Sequence, residues 1–157
     1  VRFAAVALDL KSQQEIILTR GPLIKAVMAS SAIPGIFEPV KFGKYLLVDG
    51  GWIDKVPAPA ARRLGAKKVV AADVSIVKKR NVPKFKNGIE LIIFSDEITN
   101  SALKNLQLLA ADVVISPKFA KDDWYDFYKF KKFVKLGETA TIEKLKNLKK
   151  VFRRRII

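Results

Sequence analysis

The run Tyr45-Leu46-Leu47-Val48-Asp49-Gly50-Gly51 constrains this chain more than any other. A buried-strand pattern ends on an aspartate, and two glycines follow it. The carboxylate is therefore carried at a strand end with almost no side-chain bulk around it. Gly50 and Gly51 tolerate turn dihedrals that a side chain would forbid, and they leave room for neighbouring backbone and for substrate. An α/β hydrolytic site keeps its base in such a place. Asp-Gly is also an ordinary turn dipeptide, so the pattern alone leaves a bland reading open.

The rest of the chain predicts a strand-and-helix alternation. Val1–Leu10 and Gln14–Thr19 read as strands, with Lys11-Ser12-Gln13 as a hairpin connection. Gly21-Pro22 breaks the chain, and a short helix is expected over Leu23–Ser31 with Leu23, Ile24 and Val27 inward, stopped by Pro34-Gly35. Within Lys41–Asp49, Tyr45-Leu46-Leu47-Val48 is a buried-strand pattern that ends at Asp49. Pro57–Leu64 predicts a helix with proline near its start and Gly65 just past its end. Lys67–Val74 is a continuous apolar strand of the parallel-sheet kind. Together with the preceding strand and helix it forms one expected βαβ unit. Lys78–Asn87 reads as a loop, Ile89–Ala110 as a helix, Asp112–Ser116 as a short strand and Gly137–Lys150 as a terminal helix.

Composition narrows the chemistry. The 157 residues are half apolar and 29% charged, which suits a folded globular class. No apolar run approaches the roughly 18 to 20 residues that a bilayer span needs, so a cytoplasmic protein, peripheral to the membrane at most, is expected. The chain has no cysteine, which excludes disulfides and thiolate metal sites. It has no histidine either, so no Ser-His-Asp triad, His-metal site or His base can be built from it. A hydrolase made from this chain uses a carboxylate base or borrows its base from elsewhere.

The net charge is +15, and the last 40 residues carry 13 basic against 5 acidic side chains. Such a tail suits an anionic membrane surface, and it equally suits a solvated lysine-rich face. Around Trp124, Tyr125 and Phe127, aromatic residues stand beside lysines as in single-strand nucleic-acid binders. Asp122, Asp123 and Asp126 among them would repel phosphates, so no nucleic acid is expected; helix packing and interfacial contact remain.

Flanking segments add a resemblance. Ala29-Ser30-Ser31-Ala32-Ile33-Pro34-Gly35-Ile36-Phe37-Glu38-Pro39-Val40 precedes the Asp-Gly-Gly strand, and Val56-Pro57 and Leu64-Gly65-Ala66 follow it. Val69–Val74, Ala111–Pro117 and Leu136-Gly137-Glu138 fit the same pattern. The whole series resembles the patatin-like phospholipase family of serine acyl hydrolases. The resemblance implies a three-layer α/β/α sandwich with a central, mostly parallel sheet. It also implies a Ser-Asp dyad with Asp49 as the base, Gly50 and Gly51 supporting its loop, and no metal or organic cofactor. The substrate implied is a lipid or other acyl ester.

No Gly-x-Ser-x-Gly elbow and no Gly-rich oxyanion loop is found in residues 1–157, and Ser30 and Ser31 lack the glycines of such an elbow. Both serines are expected to be small packing residues near the site. The expectation is that residues 1–157 are the C-terminal part of a single acyl hydrolase domain, with the nucleophile on an N-terminal half that is its partner. The alternative is a non-catalytic basic module that binds anionic membrane or nucleic acid. Asp73 and Asp112 are expected as loop or cap residues and Asp54 as a support for the turn before Pro57. The family commonly has asparagine where Lys55 stands.

Overall fold

The computed structural model describes residues 2–75, 82–119 and 126–153. Trp124, Tyr125, Arg154, Arg155 and part of the expected Lys78–Asn87 loop lie outside them. Strands β1 (Ala5–Asp9) and β2 (Gln14–Leu18) form the expected hairpin, and helix α1 (Leu23–Ser30) follows. Then come β3 (Val40–Phe42), β4 (Tyr45–Asp49), a 3-10 turn (Gly50–Trp52), α2 (Ala58–Arg63), β5 (Val70–Ala72) and α3 (Gly88–Leu108). Strand β6 (Val113–Ile115), a second 3-10 turn (Phe127–Lys129) and α4 (Phe130–Phe152) complete the order.

The fold is mixed α/β, but its main sheet is not the mostly parallel one expected. Four strands run in the order β2-β1-β4-β3, and every neighbouring pair is antiparallel. Connection length explains two of these three pairs. A parallel neighbour needs a crossover of a dozen or more residues, whereas short turns join β1 to β2 and β3 to β4. Gly43 has φ 59°, which suits the first central position of a two-residue hairpin turn. The strand expected to end at Asp49 is β4, and the short β3 before it pairs with it as a hairpin.

The expected βαβ unit through α2 does not form either, because β4 and β5 belong to different sheets. The parallel pair is β5 with β6, registered Val70 to Val113 and Ala72 to Ile115, with α3 in the connection between them.

Asp9 organises the first hairpin. Its carboxylate accepts from the N–H of Lys11 and of Ser12, from the Ser12 hydroxyl, and from the Leu46 N–H of the adjacent strand. Burial pushes this carboxyl up, but the Leu46 N–H and the other donors outweigh burial and hold it at about 2.

The core beneath the main sheet is built from small residues. Ala5, Ala7 and Leu18 meet Ala26 and Ala29 of α1 and Leu47 of β4. Helix α1 therefore presents its alanines inward, while Leu23, Ile24 and Val27 stand exposed, Ile24 at 77%. The expectation for that helix is reversed, because alanine lets it approach the strands closely where the larger side chains would hold it away. A second cluster joins Val56, Ala58, Val69 and Ala71. Helix α4 packs against β6, and it begins seven residues before the expected Gly137.

Candidate functional site

The site is assembled at the end of β4. Asp49 is tied into the sheet opposite Ala7, and its own N–H donates to the Ala32 carbonyl at 2.9 Å. The segment after α1 is thereby docked beside it, which explains why the Ala29–Val40 run and the Asp-Gly-Gly turn occur together. The chain then winds tightly. The Gly51 N–H donates to Asp49 Oδ1 at 2.6 Å, and the N–H groups of Ile53 and Asp54 both donate to the Gly50 carbonyl. One carboxylate oxygen is thus pinned by the turn, and Oδ2 accepts no hydrogen bond among the described residues.

Each glycine has a physical reason. A Cβ on Gly50 would lie 2.2 Å from the Val6 carbonyl oxygen and 3.2 Å from the Ala7 nitrogen, so the backbone of β1 occupies that space. A Cβ on Gly51 would lie 2.9 Å from Asp49 Oδ1 and displace the carboxylate. Asp49, Gly51, Trp52 and Lys55 face Asp96, Glu97 and Asn100 of α3 across an open cleft of about 230 Å³. Asn100 Nδ2 donates to Asp96 at 2.7 Å on the far wall. No cluster of metal-ligating side chains exists among the described residues.

The rest of the loop is held by side chains that the sequence does not flag. Gln107, on the last turn of α3 and 7% exposed, reaches across to residues 53–56. Its Oε1 accepts from the N–H of Lys55 at 3.0 Å and of Val56 at 3.4 Å, and its Nε2 donates to the Ile53 carbonyl at 2.8 Å. The Lys55 backbone is braced in this way, whatever its side chain. One turn earlier, Lys104 donates to Asp73 at 3.0 Å in a pair buried on both sides. Burial raises the Asp73 carboxyl, yet hydrogen bonds from Ser75 and Lys104 bring it below the usual range. Asp73 is the loop residue expected, just past β5 and accepting from the Ser75 N–H at 3.0 Å, and it is also a buried ion-pair partner.

Asp112 does act as a cap. The N–H of Val69 holds its carboxyl low, helped by an ion pair to Arg62 at 2.7 Å. Asp54 is buried against Glu15, which also pairs with Arg63. Asp54 Oδ1 and Glu15 Oε1 have no hydrogen-bond donor of their own. One proton shared between the two carboxyls satisfies both. Burial, with Glu15 beside it, pushes Asp54 up to about 7. Asp54 does support the loop, as expected, but as a buried acid. Ser31 is exposed and directs its hydroxyl back to the Val27 carbonyl at 2.8 Å, so it closes the end of α1 rather than packing inward as expected.

The fold and this turn define an α/β protein with a strand-end carboxylate in a glycine-lined cleft. Residues 4–62 match the Patatin-like phospholipase family model, and they span both the Pro-Gly segment and the Asp-Gly-Gly turn. Over that segment the chain is similar to the patatin-like phospholipase family.

An uncharacterized NTE family protein of Mycobacterium tuberculosis is 44% identical over 62 residues, covering 39% of this chain and 17% of that protein. Patatin-like phospholipase domain-containing protein 7 of Rattus norvegicus is 38% identical over 74 residues, covering 46% of this chain and 6% of that protein. A patatin-like phospholipase domain-containing protein of Caenorhabditis elegans is 30% identical over 91 residues, covering 57% of this chain and 7% of that protein. The matched stretches are thus a small part of each relative's length. No helix among the described residues is long and apolar enough to cross a membrane.

Proposed function

We propose that the intact protein is a lipid acyl hydrolase of the serine esterase type, with Asp49 as the base of a Ser-Asp dyad. The serine and the amides that hold the oxyanion come, in this reading, from polypeptide N-terminal to the residues described. The same stretch would complete a three-layer α/β/α sandwich. The observation that carries the reading is the state of the Asp49 carboxylate. Its Oδ1 is fixed by the Gly51 N–H while the group borders an open cleft. A base needs just that combination of fixed direction and a free lone pair. Held within hydrogen-bond reach of a serine, such a carboxylate takes the hydroxyl proton as Oγ attacks the ester carbonyl. It returns the proton to the departing alkoxide, and a water then repeats the transfer to release the acid. Trp52, 45% exposed on the cleft rim, offers an apolar surface for an acyl chain.

The test is Asp49→Asn in the intact protein, which keeps the Gly51 hydrogen bond and removes the base. Turnover of an acyl ester should fall about 10² to 10⁴-fold with an unchanged melting temperature. A folded variant with near-normal turnover would remove Asp49 from the mechanism.

A further inference from the structure

We propose that Gln107 is the positioning residue of the Asp49 turn, so that a carboxamide 58 positions away in sequence sets the direction of the candidate base. The proposal rests on Asp49 acting as the base. Its own observations are the three hydrogen bonds from one buried side chain to the loop. A carboxamide makes this set at any pH, because it carries an acceptor for Lys55 and Val56 and a donor for the Ile53 carbonyl on the same planar group.

The link to Asp49 is short. Gln107 fixes the Ile53 carbonyl, and the N–H groups of Ile53 and Asp54 close on the Gly50 carbonyl. That carbonyl belongs to the peptide whose nitrogen side is Gly51, the donor to Asp49 Oδ1. Fixing residues 53–56 therefore fixes the pitch of the turn and the angle of the carboxylate. Misplacing a reacting group by about 1 Å can cost about 10²-fold in rate. Gln107 is not itself part of the cleft lining and makes no bond to Asp49; it meets the lining only at the backbone N–H of Lys55, so it acts through the loop.

Two variants of the intact protein test this, read beside Asp49→Asn. Gln107→Met keeps the length and removes all three bonds; kcat should fall about 10 to 100-fold with KM within about twofold, and the Gly51 amide should exchange faster with solvent. Gln107→Glu accepts from Lys55 and Val56 but donates to Ile53 only when protonated. Its activity relative to the parent should therefore rise as pH falls, a ratio in which the titration of Asp49 cancels. A role in stability alone would lower the melting temperature without moving either the kcat-to-KM split or that ratio. If Asp49→Asn is inactive while Gln107→Met keeps the parent kcat, or the Gln107→Glu ratio is flat with pH, the positioning role is wrong and the base assignment stands. If Asp49→Asn is active, the functional reading itself is wrong; Gly51 exchange in Gln107→Met then decides on its own whether Gln107 holds the turn.

Discussion

Helices α1 and α3 bury different kinds of side chain. Under the main sheet, α1 meets β1, β3 and β4 through Ala26 and Ala29, against Ala5, Ala7, Leu18 and Leu47. Beyond the Asp-Gly-Gly turn, the residues that α3 buries are Lys104 and Gln107, while Ile92, Ile98, Leu106 and Leu109 stand exposed. Apolar contact is non-directional and tolerates small slides. A carboxamide on three backbone groups and an ammonium on a buried carboxylate do not. The first region supplies a platform, and the second sets the angle of what stands on it.

The sharpest way to break this contrast is to remove one member of the buried ion pair. Lys104→Met leaves Asp73 buried without its cation and should destabilise the protein by about 3–5 kcal/mol. Adding Asp73→Leu should recover most of that loss, because two apolar partners leave no charge behind. Denaturant unfolding of both single variants and the double variant gives the coupling. Equal losses in Lys104→Met and the double variant would show that the pair is not what fastens α3.

The apolar region should fail differently. Leu47→Ala empties a fully buried position and should cost about 2–5 kcal/mol, with no partner substitution able to restore it. If Leu47→Ala also lowered kcat of the folded fraction by more than about 10-fold, platform and aiming device would not be separable functions.

A smaller effect lies in pH. Asp54 titrates at about 7 in the fold and far lower when unfolded, so the native state holds a proton that the unfolded chain has lost. The stability this provides is full below the unfolded value and is lost as pH rises through about 7. Asp9, Asp73 and Asp112 are shifted the other way, and their contribution is lost as pH falls below the usual carboxylate range. The melting temperature should therefore peak at mildly acidic pH. Asp54→Asn, which keeps a donor toward Glu15, should flatten the alkaline limb and leave the acid limb alone. An unchanged alkaline limb in that variant would place the shared proton elsewhere.

The legibility of the chain divides along the same line. The β1–β2 hairpin, α2 with Gly65 behind it and α3 depend on neighbours within a few residues and are readable from sequence. The Asp49-Gly50-Gly51 motif is readable too, although the contacts that hold its turn come from Val6, Ala32 and Gln107 far along the chain. Strand direction in the main sheet is not, because β3 spans only Val40–Phe42 and the Tyr45–Asp49 pattern does not say which strands flank it. Gln107, Lys104 and Glu15 were not legible either. Each is a long polar side chain on a regular element, and that pattern predicts a solvated face. Their partners lie 31 or more positions away, at Asp73, Ile53 to Val56 and Asp54. Nothing in local pattern marks such a pairing. The inverted burial of α1 has a simpler cause: hydrophobic rank favours Leu23 and Ile24, whereas the space above the strands admits only alanine.

The contact between Gly50 and the Val6 carbonyl has a consequence for anyone who would diversify this protein. Every alternative residue carries a Cβ, and at this position a Cβ meets backbone that cannot rotate aside. A library randomised at residue 50 should return glycine almost alone among functional clones, however permissive the screen. At residue 51 the obstacle is a carboxylate that can swing, so folded but silent clones should be abundant there. The two adjacent glycines would thus be told apart by selection: one guards the fold and the other guards the turn's use.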